Sequence, residues 1–195
     1  MSEYLEQFIA RLQHLEKQDR AGLAALRRSL AFEPGSYVPA LPYIEPFVNS
    51  EWHVRDSRRR ALYIVAGLFA QNPLQRDTSL SASLGKLHRK EESDSIEKRF
   101  LALLGADPEN IHTYLRQIAS LLHSHDLGCD YGKLFSDLSR WINPRLDPEW
   151  RDDIRQRWAR DFYNTRQESE SNTHAEDTAS ASHSHTTITN ATHNA

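Results

Sequence analysis

His123, His125, Asp126 and Cys129 stand within one short stretch, and each of those side chains can ligate a metal. Their spacing matches no standard zinc pattern, and a single thiol cannot supply the paired cysteines of a structural site. The simpler reading is a helix that ends in a turn, where histidine is favoured beside the carbonyl end of the helix dipole. His174, His183, His185 and His193 fall in a His-containing polar tract, which binds metal only weakly. The chain contains no GxxxxGK[ST] phosphate loop, no GxGxxG turn and no nucleophile elbow. Its carboxylates are scattered, and no acid–base pair stands out. The expectation is a protein that is not an enzyme and needs no metal or cofactor.

Arginine offers the remaining chemistry. Arg27-Arg28, Arg58-Arg59-Arg60, Lys98-Arg99, Arg116 and Arg145 are the basic positions of the body, joined by Arg151, Arg155, Arg157 and Arg160 near its end. A guanidinium binds phosphate or carboxylate through two parallel hydrogen bonds and stacks on flat rings. Neighbouring residues on a helix point about 100° apart, so each basic pair offers one cation at the edge of the core and one facing outward. Arg27 lies about 40° from Leu23, so its stem can cover apolar surface while its head stays wet. Aligned on one face, such residues make a track that reads phosphates without reading sequence.

The charge balance limits how such a track is used. The segment 166–195 holds Arg166 against Glu168, Glu170, Glu176 and Asp177. Removing these from the 24 basic and 27 acidic residues leaves 23 of each in residues 1–165. A neutral body is not a protein that coats DNA by bulk charge, but it accommodates a local basic patch. Cys129 is the only cysteine, so no intrachain disulfide forms, and a reducing cytoplasm is the expected location. The N-terminus has no apolar signal region. The longest apolar run, Ala61 to Ala70, is about half of what spans a bilayer; no membrane association is expected.

The elements that must position these residues read as helical almost throughout. Leu5, Phe8, Ile9, Leu12 and Leu15 form one apolar stripe; Leu23, Leu26 and Leu30 form a second, capped by Asp19 and stopped by Pro34-Gly35. Pro39, Pro42 and Pro46 reduce residues 36–50 to apolar turns, with room for a short helix at 40–48 against the core. Asp56 to Gln71 is a strong helix burying Ala61, Leu62, Val65, Leu68 and Phe69, and residues 72–79 form a polar loop. A short helix carries Leu80, Leu84 and Leu87. The next is capped at Ser93 or Asp94 and stopped at Gly105, and one starts at Asp107-Pro108. Another runs from Asp130 to about Trp141. The last starts at Asp147-Pro148 and places Trp150, Ile154, Trp158 and Phe162 on one face, inside an arginine-rich coat. The fold class is all-α: a compact bundle of about eight helices, with room for two lobes, over residues 1–165. Residues 166–195 are too polar to offset their ordering entropy and are expected to be a disordered low-complexity tail.

On residues alone three functions stay open. The arginines can bind phosphate; they can instead meet acidic protein surfaces in a helical interaction module without nucleic acid. Third, His125-Asp126 matches the dipeptide of metal-dependent phosphohydrolases, although those sites need further distant ligands.

Seven strings occur in an order that narrows the choice: Ala25-Leu26-Arg27-Arg28, Ser83-Leu84-Gly85-Lys86-Leu87, Glu97-Lys98-Arg99-Phe100-Leu101-Ala102-Leu103-Leu104, Tyr114-Leu115-Arg116-Gln117-Ile118-Ala119-Ser120-Leu121-Leu122, Asp130-Tyr131-Gly132-Lys133-Leu134, Asp137-Leu138-Ser139-Arg140-Trp141 and Arg157-Trp158-Ala159-Arg160-Asp161-Phe162-Tyr163. Together they resemble the CasB family, the small subunit of the type I-E CRISPR surveillance complex Cascade, across residues 18–164. Residues 165–195 match nothing in the family pattern.

The resemblance implies an all-helical, non-catalytic subunit, with target cleavage left to a separately recruited nuclease-helicase. Its partners would be the Cascade backbone and large subunits, a second copy of itself, the guide RNA, and the target DNA including the displaced strand. Carried over string by string, the nucleic-acid-binding positions are Arg27, Arg28, Arg99 and Arg116, with Arg58, Arg59 and Arg145 on looser alignment. Where some relatives carry a second basic residue after Leu-Arg, this chain has Gln117.

Overall fold

A computed structural model describes residues 3–164, and the segment expected to be a disordered tail, 166–195, lies outside the described residues. Nine α-helices occur among them: α1 (Glu3–Gln18), α2 (Arg20–Ser29), α3 (Leu41–Ile44), α4 (Ser57–Gln71), α5 (Leu80–Glu91), α6 (Asp94–Leu104), α7 (Ile111–Ser124), α8 (Tyr131–Trp141) and α9 (Pro148–Asn164). Single-turn 3-10 segments, Val38–Ala40 and Glu45–Phe47, flank α3. Prolines 39, 42 and 46 each sit in the first turn of one of these three pieces, where the missing N–H costs nothing. The all-α expectation holds.

α4 is the axis. All ten residues from Ala61 to Ala70 are buried, on every side of the helix rather than along one stripe. A helix apolar all round is one that neighbours enclose; α1, α2, α3, α7 and α8 all pack on α4. α5 and α6 pack on each other and on α7. One continuous core runs from Leu5 to Phe162.

Short polar side chains set the helix starts. Asp19 Oδ1 accepts from the Gly22 N–H at 2.8 Å, Asp56 Oδ1 from Arg58 at 2.9 Å, Ser79 Oγ from Ala82 at 3.2 Å and Asp130 Oδ1 from Lys133 at 3.0 Å. Each satisfies a donor that the helix leaves open. Asp107-Pro108 does not start a helix. Pro108 takes the second position of a turn that the Asn110 N–H closes on the Asp107 carbonyl at 3.0 Å, and α7 begins at Ile111. The short helix marked by Leu80, Leu84 and Leu87 is α5, which runs to Glu91 and is followed by Glu92 as its cap, in a left-handed φ of 46°.

Residues 72–79 and 125–130 interlock. The Cys129 N–H donates to the Leu74 carbonyl at 3.1 Å, Arg76 N–H to the Cys129 carbonyl at 3.0 Å, and Asp130 N–H to the Thr78 carbonyl at 2.8 Å. Asn72 Nδ2 donates to the Leu127 carbonyl at 2.8 Å and Ser83 Oγ to the Gly128 carbonyl at 2.6 Å. Tyr131 Oη also donates to the Asn72 carbonyl. The result is an isolated parallel bridge between Gln75 and Cys129; no longer strand occurs among the described residues.

Burial in this junction pushes the Cys129 thiol up from 9.0 to about 12 and the Tyr131 phenol well above its ordinary range. The folded chain holds protons that the unfolded chain releases. Stability is therefore complete below the unfolded thiol value and declines as the pH rises from about 9 toward 12. Between about pH 8 and about pH 10.5 the thiol alone is expected to remove roughly 2 kcal/mol. Urea unfolding at the two pH values measures it. A Cys129→Ala variant that loses as much over the same range would exclude the thiol as the cause.

Candidate nucleic-acid interface

α7 carries two stripes. Ile111, Leu115, Ile118 and Leu122 face the core. Thr113, Arg116, Gln117, Ser120 and Ser124 recur at helical spacing on the other side. They line an open groove of about 660 Å³ with Arg99 of α6, Gln71 at the end of α4 and Leu121. No carboxylate is among the lining residues. Arg99 and Arg116 are exposed and have no hydrogen-bond or ion-pair partner among the described residues. Two unpaired guanidiniums flanked by hydroxyls and amides make a hydrogen-bonding surface for an anion with several oxygens. Gln117 keeps a polar donor where a further cation would add charge.

Arg27 stands beside this groove. Its Nε donates to the Ala70 carbonyl at 2.9 Å, next to the groove residue Gln71. That bond closes an open carbonyl near the C-terminus of α4 and leaves the terminal nitrogens of Arg27 without a partner among the described residues. Arg28 is exposed and unpaired among the described residues, and so is the side chain of Arg145, whose backbone N–H donates to Asn143 Oδ1 at 3.0 Å.

Arg58 and Arg59 are engaged within the chain. Arg58 makes a two-pronged pair with Asp56, Nε–Oδ1 at 3.0 Å and Nη2–Oδ2 at 2.8 Å, and its guanidinium lies 4.5 Å from the centre of the Trp52 ring. The Arg58 hydrogen bond holds the Asp56 carboxyl below its ordinary value. Arg59 Nη2 meets Glu45 Oε1 at 2.7 Å, and the Tyr63 hydroxyl donates to the same oxygen. Arg59 fastens the 3-10 segment Glu45–Phe47 to α4, and Arg58 holds the start of α4 against Asp56 and Trp52.

The arginine coat of α9 is also largely spent on the chain itself. Arg155 Nε donates to the Leu104 carbonyl at 2.8 Å and Arg151 Nε to the Trp141 carbonyl at 3.3 Å. These are the last carbonyls of α6 and α8, which no intrahelical donor reaches. Arg157 pairs with Asp137, which also accepts from Trp158 Nε1 at 2.7 Å. Arg160 alone of the four is exposed without a partner among the described residues.

The aromatic seam needs one correction. Ile154, Trp158 and Phe162 are buried, Trp158 stacked 5.3 Å from Trp141 and Phe162 4.1 Å from Phe100. Trp150 is 47% exposed. Each step of four residues advances about 40° around a helix. The two steps from Ile154 to Phe162 stay within the seam, and the third, back to Trp150, turns out of it.

His125 forms the C-terminal cap of α7, with Nδ1 3.7 Å from Glu91, and Asp126 follows with φ 55°. Among the described residues no group of three or more His, Cys, Asp and Glu side chains converges as metal ligands would. None of their helices is long and apolar enough to cross a membrane.

Residues 22–163 match the family described as CRISPR-associated protein Cse2. A CRISPR-associated protein Cse2 from Thermus thermophilus is 38% identical over 161 residues, which is 81% of this chain and 89% of that protein. The crystal structure of a Cse2-family protein from Thermus thermophilus superposes with a TM-score of 0.69 at 39% identity, covering 84% of this chain and 99% of the other. That of M. ruber CasB gives 0.70 at 29% identity, covering 88% and 98%. A chain of a CRISPR RNA-guided surveillance complex shares the fold, with a TM-score of 0.69 at 24% identity over 86% of this chain and 98% of that one. Seven ordered strings, the all-helical fold of the described residues and this breadth of match agree: the chain belongs to the Cse2 (CasB) family of CRISPR-associated proteins.

Proposed function

We propose that this chain is a non-catalytic subunit of the type I-E Cascade ribonucleoprotein in antiviral defence, working in the cytoplasm. It stabilises the R-loop between guide RNA and target DNA and holds the displaced strand through arginine–phosphate contacts. Its partners are the backbone and large subunits, a second copy of itself, the guide RNA and the target DNA.

The observation that carries this reading is the groove between α4, α6 and α7, where Arg99 and Arg116 stand unpaired with no carboxylate among the lining residues. An arginine that serves the fold finds an acceptor inside it, as Arg58, Arg59, Arg155 and Arg157 do. Two that find none in a concave polar surface suit an external anion. Guide pairing supplies sequence specificity in such complexes, so backbone contacts suffice. Arg27 extends the surface beside Gln71, and Arg28 and Arg145 are further exposed cations without a partner among the described residues. Arg58 and Arg59 add least, because a phosphate would first have to displace Asp56 and Glu45.

The test is target binding by reconstituted complexes carrying Arg99→Ala with Arg116→Ala. Loss of two charge-assisted contacts is expected to weaken target binding about 10- to 100-fold. The log–log salt slope should become shallower by about 1.4, two phosphates at about 0.7 each. The melting temperature of the subunit should hold, since neither side chain contacts the core. Unchanged affinity and slope would overturn the role of the groove. A purified assembly without RNA would favour the protein-interaction module instead.

A further inference from the structure

The groove between α4, α6 and α7 offers more than its two guanidiniums. Its volume of about 660 Å³ is that of a site for an organic molecule rather than for a single anion. Gln71 and Gln117 both line it, and neither side-chain amide has a hydrogen-bond partner among the described residues. The Ser124 hydroxyl, by contrast, is spent on the Leu121 carbonyl at 2.8 Å. Gln71 is held from both sides at the end of α4. Before it, Arg27 bonds the Ala70 carbonyl; after it, the Asn72 side chain bonds the Leu127 carbonyl at 2.8 Å. Gln117 is anchored in α7 by Ile118, which the core buries beside it. Charge around the groove favours an anionic strand. α4 and α7 contain no carboxylate, and Glu97, two positions before Arg99, accepts from Tyr163 Oη at 2.7 Å.

An amide presents a donor and an acceptor side by side. A phosphate offers only acceptors, so it leaves the amide oxygen unanswered. The Watson–Crick edge of an unpaired base sets a donor beside an acceptor and answers both. Arginine–phosphate contacts alone cannot favour the unpaired strand, because counter-ion release rewards duplex DNA more, about 0.9 against about 0.7 per phosphate. In a duplex the Watson–Crick edges are consumed, and a concave protein surface does not enter the major groove to reach the edges that remain.

We propose that Gln71 and Gln117 bind the base edges of an unpaired DNA strand lying in this groove, and so give it a preference for single-stranded over duplex DNA. The inference rests on the groove as the nucleic-acid site; it adds that bases are held there as well as phosphates, with no choice among the four.

The test uses the full chain and three fluorescein-labelled probes with equal numbers of phosphates: an oligodeoxythymidylate, an abasic deoxyribose-phosphate strand and a hairpin duplex. Anisotropy is read at low salt. The parent chain is expected to bind the thymidylate about tenfold more tightly than the abasic strand, and more tightly than the hairpin. Gln71→Ala with Gln117→Ala should bring the thymidylate down to the abasic strand, while abasic affinity, salt slope and melting temperature hold. Gln117→Ala alone, at an exposed position, should remove part of the preference. Gln117→Arg should steepen the single-strand salt slope by about 0.7 and tighten the hairpin, so that the preference for the unpaired strand falls. A parent chain that binds the thymidylate no better than the abasic strand, or binds no probe, overturns the inference, and so do glutamine variants that keep the preference. The arginine role of the groove fails separately, through an Arg99→Ala with Arg116→Ala chain that binds every probe as the parent does; the expected result is weaker binding of all three with the preference kept. An oligouridylate bound more tightly than the thymidylate would overturn the assignment to DNA.

Discussion

Gly128→Ala is expected to destabilise the protein by about 3–5 kcal/mol, the largest effect of any single methyl group in the fold. A Cβ built at Gly128 would fall 1.9 Å from the Leu74 carbonyl oxygen and 2.8 Å from the Leu74 carbonyl carbon. The obstacle is backbone, so no side-chain rotation relieves it. Leu74 would have to retreat by an ångström or more, and the bonds that Leu127, Gly128, Cys129 and Asp130 make across the junction would go with it. A net contribution of about 1 kcal/mol per bond, plus the penalty for polar groups left buried, reaches this total. Gly105→Ala is the internal control. Its φ is −83°, and a Cβ there would meet nothing closer than 3.6 Å, so it should be neutral or raise stability by up to about 1 kcal/mol. Urea midpoints of the two variants decide the matter: a Gly128→Ala chain as stable as Gly105→Ala would mean that the two loops do not interlock.

Trp158→Ala is expected to cost about 3–5 kcal/mol. The indole is buried, stacks on Trp141 and donates to Asp137. Truncation leaves a void between α8 and α9 and removes one of the two donors to Asp137. Trp158→Phe separates the contributions. It restores most of the packing without the N–H, and it should recover all but about 1–2 kcal/mol, because Arg157 still reaches Asp137. A melting temperature that does not move in Trp158→Ala would place the α8–α9 contact outside the fold's cooperative unit.

Helix identity was legible wherever a local cause sufficed. Asp19, Asp56 and Asp130 cap as their positions suggest, because capping needs only the next three residues. Asp107-Pro108 misleads for the same reason: Asp-Pro opens a turn as readily as a helix, and only the packing of Ile111 into the core decides where α7 begins. The junction of residues 72–79 with 125–130 left no local trace, since its bonds join residues 45 to 59 positions apart.

The interface was half legible. Arg99 and Arg116 came from the family strings, whereas the alternation of Thr113, Arg116, Ser120 and Ser124 against the apolar face of α7 would have found the groove on periodicity alone. What no sequence pattern separates is an arginine that caps a distant helix from one that faces solvent. Arg155 and Arg160 are equally cationic in the sequence; one is committed to Leu104 and the other is free among the described residues.

The arginine caps of α9 also order events during synthesis. Leu104 and Trp141 end helices that leave the ribosome before Arg151 and Arg155 do, and Gly85 in α5 lies so close to the Phe162 backbone that a methyl group there would touch it. A nascent chain cut short before α9 therefore carries two helix ends with open acceptors and the aromatic faces of Phe100 and Trp141 uncovered. The body closes from its C-terminal end, so a product truncated before α9 is expected to expose these surfaces rather than to form a small stable domain.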